Sequence, residues 1–217
     1  MKRSIKWVSI GAFMASVILA SGAHAEDVDS GFLGDYSALS EVRDAAGEIV
    51  RRYMNPKFEP GVYKKVIIDP TQYYPAPEPT DQVSASTLTE ISNYVDKGLR
   101  EKLGERVMLA SEPGPDVLRM RPAITAVAPK TPGLKPYQLI PIAFIVTSLK
   151  GRGKEATIHV EVEVVDSMTG ERMGASVRKG VGAKLASDKA KLTLKDVQPL
   201  LDKWIDTGST FVGEHVK

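Results

Sequence analysis

At 217 residues, with 42% hydrophobic and 26% charged residues and no cysteine, the chain is long enough to bury a real core within one domain. The absence of thiols excludes a disulfide framework, a cysteine nucleophile, cysteine-ligated zinc and a lipid carried on cysteine. The net charge of +2 argues against a nucleic-acid binder held by phosphate contacts, the more so because setting aside Lys2, Arg3 and Lys6 lowers the 29 basic residues to 26 against 27 acidic ones.

The chain opens with a basic stretch at Lys2, Arg3 and Lys6, an apolar run over residues 7–20, and Ala23-His24-Ala25. These are the three parts of a secretory signal peptide, and the run is too short for a spanning helix. Cleavage is expected after Ala25, which gives a periplasmic protein with no transmembrane segment left; an uncleaved N-terminal anchor is the competing reading. Residues 26–60 read as an irregular lead-in: Leu39, Val42, Ala46 and Ile49 have helical spacing, while residues 48–54 equally suit a short strand.

A β-branched run at residues 63–69, stopped by Pro70, suits a strand buried on both faces. The proline-rich stretch 73–80 is predicted to be a stiff loop, with Tyr73 and Tyr74 either packed on the domain or lining a binding surface. Next comes a helix, capped by Thr87 and Glu90, that presents Leu88, Ile91, Val95, Leu99 and Leu103 on one face and stops at Gly104. Residues 107–110 and 117–127 read as strands, the second placing Arg119 and Arg121 on one side. Residues 142–149 are apolar and fit helix or strand.

The most regular pattern lies at residues 155–179. Ile158, Val160, Val162 and Val164 alternate with Thr157, His159, Glu161 and Glu163, a turn follows at residues 166–171, and alternation resumes with Met173, Ala175 and Val177 opposite Arg172, Ser176 and Arg178. This is a β-hairpin with one buried and one solvated face. A second amphipathic helix, capped by Thr193 and Asp196, carries Val197, Leu200, Leu201, Trp204, Ile205, Phe211 and Val212. Its acidic polar face fits core packing better than a membrane surface.

Catalytic sets are thin. Gly153-Lys154 lacks the rest of a phosphate loop, and His159 with Glu161 and Glu163 on one strand face is better read as cross-strand ion pairing with Arg119, Arg121, Arg172 or Arg178 than as a metal site.

Four stretches carry a family resemblance: Phe32-Leu33-Gly34-Asp35-Tyr36-Ser37 with Leu39; residues 63–70; Glu112-Pro113-Gly114-Pro115-Asp116-Val117 continuing through Arg121 to Ile124; and Asp166-Ser167-Met168-Thr169-Gly170-Glu171. In this order they resemble the blocks of the bacterial family known as domain of unknown function 3313. The resemblance implies an exported envelope protein, in a family with many lipoproteins and no established activity, and it carries over no catalytic residue. This chain departs from the lipoprotein members in having no acceptor cysteine. The order of elements is also similar to that of small α/β domains of periplasmic accessory lipoproteins, an analogy of fold that fixes no function.

The expected architecture is a single α+β domain over residues 61–217, a two-layer α/β sandwich. Its mainly antiparallel mixed sheet of four to six strands has two long helices on one face and a charged, solvent-facing opposite face. The expected role is that of a non-enzymatic periplasmic accessory protein without cofactor, whose envelope-protein partners dock at Arg119, Arg121, Glu161 and Glu163 or at Tyr73 and Tyr74. The alternative is a carrier of a small apolar ligand or lipid, held in a gap between helices and sheet near residues 142–149. An unrecognised hydrolase or metal enzyme is the third reading.

Overall fold

The computed structural model describes residues 29–125, the strand at 144–147, and residues 155–187 and 190–216. The expected signal peptide and residues 142–143 and 148–149 therefore lie outside the described residues, and residues 144–147 of that apolar stretch are strand. The described strands form one mixed, mostly antiparallel sheet: β1 (Ser40–Arg43), β2 (Ile49–Met54), β3 (Lys65–Ile68), β4 (Gln72–Tyr74), β5 (Met108–Leu109), β6 (Val117–Thr125), β7 (Phe144–Thr147), β8 (Glu155–Asp166) and β9 (Arg172–Lys184). The spatial order is β1-β2-β9-β8-β6-β3-β5, with β4 alongside β6 and β7 alongside β8. Parallel pairing is confined to β3, β4 and β5 against one another's neighbours: β3 with β5 and β6, and β4 with β6.

Two helices, α1 (Ala85–Gly104) and α2 (Leu194–His215), cover one face. The five α1 residues expected to face inward are the five that are buried, and α2 buries Val197, Leu201, Trp204 and Ile205. They pack on Ile124 and Ile158 at one end of the sheet, while Leu103 meets Leu118 and Met120 at the other. At the start of α1 the cap is Ser84, whose side chain accepts from the Thr87 amide, rather than Thr87 itself. Thr193 and Asp196 form the expected capping box of α2.

The sheet is larger than the four to six strands expected, chiefly because residues 40–54 are not an irregular lead-in. They form a hairpin, β1 and β2, on the edge of β9. The turn decides this. The Asp44 carboxylate accepts from the amides of Ala46 and Glu48, and Gly47 sits at a φ of 78°, where a side chain would be strained. Val50 then becomes core, while Val42 and Ile49, which looked helical by spacing, stay exposed. Part of the proline-rich loop is also recruited, since Gln72–Tyr74 pairs with β6 before the prolines stop it.

Within the β8–β9 hairpin the first arm alternates as expected. The second does not continue that alternation across the turn, because an irregularity in register falls between Val164 and Val165, where the partners jump from Gly174 to Arg172. That extra residue moves Ala175 and Val177 opposite Glu163 and Glu161, and places Ser176 and Arg178 beside Val162 and Val160 on the helix side.

Candidate functional site

The face opposite the helices is not the solvated surface that the alternation predicted. Glu161, Glu163 and His159 are all buried, Glu161 to 2% exposure. The cover is the loop of residues 29–37, and one side chain organises it. The Tyr36 hydroxyl accepts from the amides of Gly31 (3.0 Å) and Leu33 (3.1 Å) and donates to Glu161 Oε2 at 2.7 Å. Glu161 Oε1 accepts from the Thr125 hydroxyl at 2.9 Å, so the carboxylate is held by hydroxyls rather than by arginine.

Glu163 does make the expected ion pairs, with Arg121 Nη1 at 2.7 Å and with Arg172 Nε at 2.8 Å. Arg172 also donates to the carbonyls of Asp35 and Leu33, so it ties the loop down from the other side. Burial pushes the Tyr36 phenol up to about 12, with the neighbouring Glu161 charge acting in the same direction against the bonds from Ser30 and Leu33.

The remaining candidates scatter. Arg119 is exposed and bonds both oxygens of Asp69, at 2.9 and 3.0 Å. Tyr73 turns to the helix side and donates to the Leu88 carbonyl of α1 at 2.7 Å; burial pushes its phenol well up. Tyr74 stays 39% exposed with its ring edge-on to Phe32, over which Arg121 also lies. The structure thus places Glu161 and Glu163 beneath the loop, with Arg121 reaching Glu163 from its exposed edge, and leaves Arg119, Arg121 and Tyr74 accessible.

The other face holds a site that sequence reading located only in kind. A cavity of about 120 Å³ lies between helices and sheet, lined from β2, β6, β8 and β9 below and from α1 and α2 above. Val160, Val162 and Val164 form its floor, and Trp204, Ile205 and Phe211 form much of its roof. A second space of about 50 Å³ adjoins it, sharing Met54, Met120, Val164 and Phe211. The lining is apolar except at the β2–β9 side, where Arg52, Ser176 and Arg178 enter.

Small residues on β9 explain the gap. A Cβ at Gly182 would lie 2.4 Å from the Asp196 carbonyl oxygen, and one at Gly180 2.6 Å from Trp204 Cζ2, so the first half of α2 rests directly on the strand. Farther along, a Cβ at Gly174 would meet nothing nearer than 3.5 Å, and Gly208 of α2 faces open space. The same kind of residue therefore seats the helix at one end and leaves a void at the other.

At the polar end the Asp44 carboxylate accepts from Arg178 Nη1 at 2.6 Å, with only 2% and 9% of the two side chains exposed. Burial alone would raise the Asp44 carboxyl, but Arg178 and the turn amides outweigh it and hold it below the ordinary carboxylate value. Arg52 lies beside this pair with its guanidinium 3.8 Å from the centre of the Phe211 ring.

Fold and site together define an α+β protein whose mixed sheet is roofed by two helices over an apolar cavity and sealed on its charged face by an N-terminal loop. The chain belongs to the DUF3313 family, described as a protein of unknown function, which its residues 28–207 match. It is 30% identical over 189 residues to the uncharacterized lipoprotein YdcL of Escherichia coli K12, covering 85% of each chain, and equally to that of strain O157:H7. That relatives are lipoproteins accords with export, but this chain has no cysteine to carry such a lipid.

Among solved structures it is similar to the PelC dodecamer protein of Paraburkholderia phytofirmans, at 13% identity and a TM-score of 0.39 over 73% of this chain and 96% of that one. It is also similar to a PDZ domain protein of Parabacteroides distasonis, at 8% identity and a TM-score of 0.41 over 84% of this chain and 39% of that one.

The stretches that carry the family resemblance have structural roles. The first is the covering loop. The third and fourth meet turn to turn, where Ser167 donates to the Gly114 carbonyl at 3.0 Å and accepts from its amide at 3.1 Å. Tyr63, in the second, donates to Asp166 of the fourth at 2.8 Å.

Proposed function

We propose that this protein is a non-enzymatic binding protein of the bacterial envelope that holds a small apolar ligand between its sheet and its helices. One observation carries the reading: a cavity of about 120 Å³ between sheet and helices, walled mainly by valine, leucine, isoleucine and aromatic side chains. An apolar cavity of about 150 Å³ stays dry and takes up a molecule the size of benzene, so a ligand here has about one ring or six carbons. The test is a titration with hexan-1-ol followed by the methyl resonances of Val160, Val162 and Leu201. Saturable shifts that disappear in Val162→Phe, which fills the floor, are expected. Absence of saturable shifts in the unsubstituted protein would sink the proposal.

A docking role for a protein partner in the envelope is favoured by one separate feature. Arg119, Arg121 and Tyr74 remain accessible on the loop-covered face, where Tyr74 and Phe32 present aromatic edges. A photo-crosslinker placed at Tyr74 in intact envelopes should capture one discrete protein. Background-level capture would count against that role.

A further inference from the structure

We propose that the cavity ligand is a small monocarboxylate, a compact apolar body with one carboxylate held by Arg52; this rests on the cavity reading above and specifies its ligand. The reasoning starts from charge. Two arginines, Arg52 and Arg178, line the polar end of the cavity, and one carboxylate, Asp44, pairs with Arg178 there without itself lining the space. Asp44 is committed to Arg178 at 2.6 Å and to the amides of its own turn at 2.9 Å. Among the described residues no carboxylate lies within ion-pair distance of Arg52, whose contact is the Phe211 ring beneath it.

The cluster thus carries one positive charge more than it neutralises, at the edge of an apolar space. Burial lowers the Arg52 pKa and the Arg178 charge lowers it further, while Asp44 opposes both. A cation desolvated in this way gains from an anionic partner more than an exposed one does.

Geometry selects the kind of anion. Contact with the Phe211 ring occupies one side of the guanidinium, and its N–H donors form a fork that matches the two oxygens of a carboxylate. Size selects the body. The cavity of about 120 Å³ and its annex of about 50 Å³ fit a ring or a chain of about six carbons, not a long acyl chain. Ser176, level with Arg52 on the neighbouring strand, supplies a hydroxyl at the same end.

The test compares hexanoate with hexan-1-ol, which share a chain and differ in the head, by calorimetric titration of the unsubstituted protein, Arg52→Gln and Arg52→Lys. A charge-assisted hydrogen bond predicts that the unsubstituted protein binds hexanoate tenfold or more tightly than hexan-1-ol. Arg52→Gln should erase that preference, and Arg52→Lys should restore part of it. Equal binding of both compounds by the unsubstituted protein, or a preference that survives in Arg52→Gln, would overturn the carboxylate assignment and leave the cavity reading standing. Binding of neither compound to the unsubstituted protein would overturn both. Retained unfolding midpoints in the two variants separate loss of the head-group contact from loss of the fold.

Discussion

Replacing Tyr36 with Phe removes one oxygen atom from a half-buried ring and so isolates the clamp over the charged face. That oxygen donates to the buried Glu161 at 2.7 Å and accepts the amides of Gly31 and Leu33. A hydrogen bond to a charged group contributes about 1.5 to 3 kcal/mol, and the exposed Gly31 amide finds water in its place, which puts the cost of Tyr36→Phe at about 2 to 4 kcal/mol. Glu161 keeps Thr125, so the variant should fold.

The pH dependence provides a second check. The phenol titrates near 10 in the unfolded chain and at about 12 in the folded one. A raised tyrosine contributes stability that is fully present below pH 10 and is lost as pH rises through 12. The stability gap between wild type and Tyr36→Phe, from urea unfolding, should therefore narrow between pH 10 and 12. Tyr63, which is also pushed up to about 12, is present in both proteins and cancels. Hydrogen exchange across residues 29–37 should quicken in the variant at neutral pH. A cost below about 0.5 kcal/mol, with unchanged exchange, would refute the clamp.

Two further perturbations address the cavity's frame. Asp44→Asn leaves the buried Arg178 without its counter-charge and should cost about 3 to 5 kcal/mol in urea unfolding at pH 7. Because the folded Asp44 carboxyl lies below its unfolded value, its contribution is present above about pH 4 and fades as pH falls through the folded pKa, so the gap to wild type should close in acid. Gly182→Ala drives a methyl to within 2.4 Å of the Asp196 carbonyl oxygen and should destabilise by about 1 to 3 kcal/mol, whereas Gly208→Ala enters open space and should stabilise α2 by about 1 kcal/mol; thermal unfolding of both would check the sign difference.

What could be read from the sequence was set by local periodicity. The inward faces of α1 and α2 and the alternation of β8 are period signals, and they survive intact in the fold. Where a pattern was ambiguous over a few residues, tertiary pairing decided it: β1 and β2 won over a helix because the Asp44 turn closes on Arg178 of β9, 134 residues away. The carboxylates at 161 and 163 were read as solvated because alternation says which side a residue faces, not what lies on that side. Their cover is a loop whose hold depends on Tyr36, 125 residues from Glu161. The cavity escaped for a related reason. A gap between helices and sheet was expected near residues 142–149, but its position depends on the register step near Val164 and on which β9 glycines touch α2, and neither has a periodic signature.

The stand-off of α2 from β9 has a volumetric consequence. Because main-chain contacts at Gly182 and packing at Gly180 fix where the helix rests, rotation of lining side chains cannot bring the two layers together. Space of about 120 Å³, partly open to solvent, therefore stays between the layers. Unfolding shrinks typical proteins by about 20 to 100 mL/mol, a change that scales with the internal space eliminated without equalling it. Hydrostatic pressure is then a direct gauge of occupancy, since a filled cavity removes the volume that compression would otherwise recover.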